Sequence, residues 1–344
     1  MSRTGSTSIT LTTIASMAGV HPSTASRALS DTPVGISSDT VKRVRKIAGD
    51  LGYIRDITGA SLRTGRTRMI GVLVPRLTDV VLAQIYESID EAASAAGYNA
   101  VVANTRDAPD VQNMRLQGLL SRKVDGLIVG DSRAGSQVVE RLARLGTPYT
   151  LVMRRLGEHP SVSTDDLEGG RLAAEHLLEL GHTRVGVVAG DPLTSTGRER
   201  TLGFTRTYEQ AGIHIPDDYV VSSSFDTATG RAAGDRLLSL DPIPTAVFAV
   251  NDFTAIGVMG ALRDRGLQVG LDVALVGYND ISIAAQLTVP LTSVQSPLRE
   301  MGRRSVEMLL DRIAGEETAS VRLTPTLVTR ESTLLGTSTV RRPA

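Results

Sequence analysis

The sequence predicts an α/β protein in which a small all-helical head precedes a large, two-lobed body of doubly wound parallel sheets. Three observations lead there. From Met69 onward, short apolar runs alternate with stretches of helical periodicity, the pattern of parallel strands covered by helices on both faces. The first 66 residues hold no such runs but three short helical stretches, the first two separated by Gly19. Charge divides the chain at the same place. Residues 1–66 carry nine Lys/Arg against four Asp/Glu, a net +5, so the remainder of this formally neutral 344-residue chain is −5.

In the head, the first helix runs Thr12-Thr13-Ile14-Ala15-Ser16-Met17-Ala18, opened by threonines able to cap it. Gly19 permits a sharp turn, and Val20 is an apolar staple. The second helix starts at Pro22, where a missing N–H costs nothing, and continues Ser23-Thr24-Ala25-Ser26-Arg27-Ala28-Leu29. Ala15, Val20, Ala25 and Leu29 let the two helices approach, leaving Ser23, Thr24, Ser26 and Arg27 outward. A third helix, about Ser37 to Leu51, turns Val41, Val44, Ile47, Ala48 and Leu51 inward and Lys42, Arg43, Arg45 and Lys46 outward. A tight glycine turn, small residues at the crossing and a polar second helix are what a helix-turn-helix needs to enter the major groove. A basic head on an acidic body fits a partner made of phosphates.

The run Ile14-Ala15…Ala18-Gly19-Val20…Ser23-Thr24-Ala25-Ser26-Arg27-Ala28-Leu29, followed by Leu51-Gly52-Tyr53, resembles the head of the LacI/GalR family of transcriptional regulators. The resemblance implies operator contacts by Thr10, His21, Pro22, Ser23, Thr24, Ser26, Arg27 and Tyr53. It also implies a hinge segment over 55–66 that folds on DNA, with Leu62 as a wedge in the minor groove. Departures are His21, where a serine usually caps the recognition helix, Arg55 in place of a usual proline, and Thr58-Gly59-Ala60 in place of better helix formers.

In the body, strands are predicted at Ile70–Val74, Tyr98–Ala103, Gly126–Val129, Tyr149–Met153, Val185–Ala189, Val220–Ser223, Ala246–Val250 and Ala274–Tyr278. Helices are predicted near 80–96, 109–122, 135–145, 167–180, 197–212, 228–239, 253–265 and 298–314. Two sets of strands imply two lobes with a cleft at the carboxyl ends of the strands. The phrases Asp165-Asp166…Gly169-Gly170…His176-Leu177…Leu180-Gly181-His182, Ala249-Val250-Asn251-Asp252…Ala255-Ile256-Gly257 and Val276-Gly277-Tyr278-Asn279-Asp280 recur in the same family. The body thus resembles type I periplasmic binding proteins. The expected division is a DNA-binding domain over 1–54, the hinge, and an effector and dimerisation domain over 67–344. Its lobes are expected at roughly 67–162 with 293–320, and 163–292 with 321–336.

The same resemblance assigns effector contacts to Arg200, Phe225, Asn251 and Asn279, with Arg154 and Val81 as further lining. A planar guanidinium such as Arg200 can donate two parallel hydrogen bonds to a hydroxyl pair or a carboxylate. Phe225 would stack on a ligand ring, or simply plug the core; Asn279 would meet the ligand, or cap a turn. Val81-Leu82 stands where an aromatic pair is frequent, and is read alternatively as helix packing. Asn279 replaces a usual aspartate, and Arg154 stands where many sugar-binding members carry an acid. A carbohydrate is therefore the first expectation for the effector, and an anionic sugar or small acid the second.

An enzyme is not expected. Gly130-Asp131-Ser132-Arg133-Ala134 lacks the second glycine of a nucleophile elbow, and the dinucleotide and phosphate-loop glycine patterns are absent. The five histidines show no metal-ligand spacing, and there is no cysteine, so neither metal nor cofactor is expected. A secreted solute receptor would need a signal peptide and would have no use for the head; the start of the chain is polar and no apolar run nears the ~20 residues of a membrane span. The expectation is a cytoplasmic homodimer on operator DNA, without the terminal heptads that would build a tetramer.

Overall fold

The computed structural model describes residues 9–30, 33–53 and 66–334, and the chain divides into two compact units, Met1–Thr67 and Arg68–Ala344. The first unit holds α1 (Leu11–Met17), α2 (Pro22–Ala28) and α3 (Ser38–Asp50) around buried Ile14, Ala15, Ala18, Ala25, Ala28, Val44 and Ala48. Thr10 caps α1, its hydroxyl accepting the Thr13 N–H at 3.3 Å. Gly19 adopts φ +63°, and the turn closes as Val20 N–H donates to Ala15 O at 3.0 Å. His21 is itself the cap of α2: its Nδ1 accepts the Ser23 N–H at 3.3 Å, so the imidazole does the work of the missing serine. Arg45 is exposed, as expected, and also donates to Ala28 O at 3.1 Å and Ser30 O at 2.8 Å, satisfying the carboxyl end of α2.

In the second unit, β1 (Met69–Val74), β2 (Asn99–Asn104), β3 (Gly126–Val129), β4 (Tyr149–Val152), β5 (Ser161–Thr164) and β11 (Val321–Leu323) form one sheet. Its order is β11-β5-β4-β3-β1-β2, all parallel. A second sheet contains β6 (Val185–Ala189), β7 (Val220–Ser222), β8 (Ala246–Ala249), β9 (Ala274–Asn279), β10 (Thr292–Gln295) and β12 (Thr326–Val328). Its order is β12-β10-β9-β8-β6-β7, parallel except for β12 against β10. The helices α4 (Val80–Ala95), α5 (Pro109–Ser121), α6 (Gln137–Leu145) and α11 (Leu298–Ala314) serve the first lobe. The second has α7 (Asp166–Glu179), α8 (Ser195–Gln210), α9 (Thr227–Leu237), α10 (Asp252–Asp264) and the short α12 (Glu331–Leu334).

The chain passes between lobes three times, at 164–166, 295–298 and 323–326. All three crossings fall a few residues later than the sequence suggests, the first because Ser163 and Thr164 still belong to the first sheet. Residues 293–295 stay in the second sheet, where Val294 is in register with Tyr278, and 321–323 complete the first, where Val321 is in register with Val162. Each strand satisfies main-chain groups that would otherwise lack partners. Strands β5, β10, β11 and β12 were not predicted. β5 reads Ser-Val-Ser-Thr and β10 Thr-Ser-Val-Gln, and the buried members of these strands are largely hydroxyl residues rather than an apolar run. Among the described residues no helix is long and apolar enough to cross a membrane.

Candidate functional site

Both sheets run strand 2-1-3-4 in order, which leaves a switch point between β1 and β3 in one and between β6 and β8 in the other. A cavity of about 550 Å³, counted to its open mouth, lies where strands of both lobes end. All six residues expected to meet an effector line it: Val81, Arg154, Arg200, Phe225, Asn251 and Asn279.

Arg200 is 3% exposed, in the second turn of α8. Its Nε donates to Asp166 Oδ1 at 2.8 Å and its Nη1 to Val250 O at 2.8 Å, while the guanidinium lies 3.8 Å from the centre of the Tyr278 ring. Burial works against the Arg200 cation, but Asp166, Tyr278 and Asp252 together outweigh it and the guanidinium stays charged. Burial likewise raises the Asp166 carboxyl above its ordinary value, opposed by Arg200. The Gly169-Gly170 phrase makes this packing possible. A Cβ on Gly169 would meet the Tyr278 hydroxyl at 2.1 Å, and one on Gly170 the Arg200 carbonyl at 2.2 Å.

On the opposite wall Arg154, 6% exposed, donates through Nη1 to Asp107 Oδ1 at 2.8 Å and through Nη2 to Oδ2 at 3.4 Å. Its Nε is buried without a partner among the described residues. Val81 is packed into the apolar core at the start of α4, with its N–H held by the Asp79 cap at 2.9 Å, and Leu82 beside it is equally buried. Burial raises the Asp79 carboxyl above its ordinary value.

Phe225 has φ +64°, and its carbonyl accepts the Asn251 Nδ2 at 2.9 Å. The ring sits over Gly190, where a Cβ would come within 2.5 Å of Cζ. Asn251 also caps α10, its Oδ1 accepting the Thr254 N–H at 2.8 Å. Its amide is thus largely spent on the protein. Asn279, at φ +95°, accepts the Ser296 hydroxyl at 3.2 Å, leaving its amide nitrogen without a protein partner among the described residues. Asp280 does not line the cavity; it takes Arg330 at 2.7 Å.

Among the described residues eight non-glycine positions have left-handed backbones, and four of them, Asp107, Met153, Phe225 and Asn279, line this one cavity. Each conformation costs of order 1 kcal/mol and is retained where the surroundings demand it. Sequence reasoning missed Asp107, Met153, Thr196 and Ser224 as lining, and with them Arg76 and Asp79. Asp107 and Ser224 carry the signal that found the asparagines, a polar residue just past a strand end.

Beside the cavity, five hydrogen bonds tie the lobes. Arg155 Nη2 reaches both Glu199 carboxylate oxygens at 2.5 and 2.6 Å, and Arg155 N–H donates to Ser195 Oγ at 2.8 Å. Arg133 pairs with Asp191 at 3.0 Å, and Ala134 N–H donates to Leu193 O at 2.8 Å.

In the head, Thr10, His21, Ser23 and Arg27 are exposed, while Pro22, Thr24, Ser26 and Tyr53 are half-buried. Tyr53 packs on the head core. Leu62 and residues 54–65 around it lie outside the described residues. Among the described residues no cluster of side chains could hold a metal ion.

Residues 10–56 match the LacI family of bacterial regulatory proteins, and residues 174–333 a periplasmic binding protein-like domain. The chain is 31% identical over 333 residues to the HTH-type transcriptional repressor PurR of Haemophilus influenzae (strain PittEE), spanning 94% of this chain and 98% of that one. It is 29% identical over 328 residues to PurR of Photobacterium profundum, with the same coverage. Among solved structures, the lac repressor dimer bound to operator and the anti-inducer ONPF is similar at a TM-score of 0.86 and 27% identity, covering 94% of this chain and 99% of that one. The complex of the transcriptional regulator CelR with cellobiose is similar at 0.73 and 32% identity, with the same coverage. A helix-turn-helix head, a two-sheet body and relatedness along nearly the whole length make this chain a member of the LacI family, a sequence-specific DNA-binding repressor under small-molecule control.

Proposed function

We propose that the repressor answers to a neutral carbohydrate bound in the cavity between its lobes, and that it acts by binding rather than catalysis. The observation that supports this is the pairing of the cavity's two buried arginines; the third, Arg76, is exposed. Arg200 is matched by Asp166 and Arg154 by Asp107, so neither guanidinium faces the ligand as a spare cation. Each pair sets N–H donors beside carboxylate acceptors, a set that vicinal hydroxyls satisfy and that a bare anion does not. Phe225 offers a ring face at the rim, and Asn279 a free amide nitrogen.

The lac repressor structure is a dimer on operator, and we read this chain as a cytoplasmic homodimer acting on a near-palindromic site in the same way. Two copies of α2 would enter major grooves about one helical turn apart, with Ser23 and Arg27 reaching bases and Thr10 the backbone. A ligand bridging both lobes shifts the population of lobe arrangements, and through it the hinge around Leu62. A thermal-shift screen of neutral sugars, sugar acids and nucleobases, repeated with Arg200→Ala, tests the reading. A larger response to a sugar acid or nucleobase, or a sugar response undiminished in the variant, would count against it.

A further inference from the structure

The cavity is not the whole of the recess between the lobes. A second hollow of about 820 Å³, also counted to open solvent, shares Arg76, Asp107, Arg154, Ser224 and Phe225 with the first. Its remaining lining is Asp191, Pro192, Ser222, Ser223 and Thr229, which follow β6 and β7. Phe225 and the Arg154–Asp107 pair therefore border both hollows. The Phe225 backbone is held left-handed there, and among the described residues the buried Arg154 Nε has no protein partner.

The chemistry of the second hollow is that of hydroxyls. Ser222 and Ser224 are exposed, and among the described residues neither hydroxyl has a protein partner. Ser223 donates to Ala189 O at 2.9 Å and keeps its lone pairs. The two carboxylates in the lining, Asp107 and Asp191, are already held by Arg154 and Arg133, and both retain about 30% side-chain exposure. The formal charges of the lining cancel, Arg76 and Arg154 against Asp107 and Asp191, and a neutral polyol finds acceptors in the carboxylates and a donor in Arg76.

Building on the carbohydrate reading above, we infer that the effector is a neutral disaccharide or larger glycoside. One sugar unit fills the Arg200 cavity, and a second lies beyond Phe225 against Ser222, Ser224 and Asp191.

Calorimetric titration of the full chain tests this with maltose, cellobiose, lactose, sucrose and trehalose against their constituent monosaccharides and glucose 6-phosphate. At least one neutral disaccharide is expected to bind about tenfold or more tighter than its monosaccharides, the worth of one or two net hydrogen bonds. Ser222→Phe, which fills the second hollow from an exposed position, should bring that disaccharide down to the monosaccharide level and leave monosaccharide affinity within about twofold, inside surface-substitution scatter. Ser224→Ala, a smaller change, should weaken the disaccharide by about threefold. Monosaccharides binding as tightly as disaccharides, or a disaccharide indifferent to both serine variants, would overturn the second subsite while leaving an Arg200-dependent carbohydrate effector in place. Tighter binding of glucose 6-phosphate than of any neutral sugar would overturn the neutral second unit. Absence of any sugar binding would overturn this inference and the proposed function together.

Discussion

Glu199→Gln removes the ion pair that joins the lobes beside the cavity. The Glu199 side chain is 8% exposed and the Arg155 side chain 19%, with Arg198 a further 3.5 Å from the same carboxylate. Breaking a buried pair costs about 3–5 kcal/mol because a charge is stranded. Here Arg155 keeps some water and a glutamine oxygen preserves one hydrogen bond, so about 2 kcal/mol is expected. In a unit of this size that lowers the melting temperature by about 4–8 °C. The pair spans the lobes, so the same 2 kcal/mol lowers the ratio of tied to untied lobes about thirtyfold, and apparent effector affinity falls by up to that factor. Thermal denaturation and titration of a responding sugar are measured on Glu199→Gln, Arg155→Met and the double variant. A coupling energy below about 0.5 kcal/mol would refute the assigned strength. A lowered melting temperature with unchanged sugar affinity would show that the pair supports the fold without gating the ligand.

Other perturbations probe the remaining parts of the site. Burial lifts the Asp252 carboxyl to about 7, partly offset by bonds from the Ser293 hydroxyl and the Ile281 N–H, with Asp280 reinforcing the rise. Between its ordinary 3.8 and about 7 the folded chain holds a proton that the unfolded chain has lost. Stability from this group therefore declines as pH rises through that window, by about 1.4 kcal/mol per unit, and levels off above it. Urea unfolding from pH 5 to 8 should show the decline in the wild type and a flatter profile in Asp252→Asn; parallel profiles would remove the assignment. Gly190→Ala places a Cβ within 2.5 Å of the Phe225 ring and 2.7 Å of the Gly197 Cα, so a loss of about 1–3 kcal/mol and of the sugar response is expected in thermal shift. Asp166→Ala strands the buried Arg200 and should cost about 3–5 kcal/mol by denaturant unfolding, part of it recovered when Arg200→Ala is added. In operator titrations Arg27→Ala should cost about 1–3 kcal/mol and relax one base preference, while Leu62→Ala losing no more than about 0.5 kcal/mol would dismiss the wedge.

Local chemistry made the head legible. Gly19 and Pro22 specify a turn and a helix start within four residues, and the structure has both. The position of the effector residues was legible too, because polar residues just past strand ends have few other places to go than the cleft. Their partners were not. Arg154 finds Asp107 at a separation of 47 residues and Arg200 finds Asp166 at 34, and only the wound sheets bring them together. That pairing changes what the arginines mean, from cations awaiting an acid to donor–acceptor pairs suited to hydroxyls. Asn251 has a second task that the sequence does not show: it lines the cavity and its amide also holds the Phe225 backbone. Strands β5 and β10 are hidden in the sequence because their buried members are mostly serines and threonines; in β10 Ser293 donates to Asp252 and Thr292 to Arg330 O, while in β5 the Ser163 and Thr164 hydroxyls have no partner among the described residues.

The three passages between lobes bear on how the chain is made. The edge strand of the first sheet, Val321–Leu323, and that of the second, Thr326–Val328, emerge from synthesis almost together, near the end of the chain. The helix Leu298–Ala314, which covers strands of the first sheet, emerges only after ten of the twelve strands. A nascent chain therefore holds both lobes unfinished until residues 321–328 appear, with exposed sheet edges and an uncovered apolar face in the interval. Truncation ahead of residue 321 would injure both lobes at once rather than trim one, and neither lobe corresponds to a single continuous stretch that could be expressed alone.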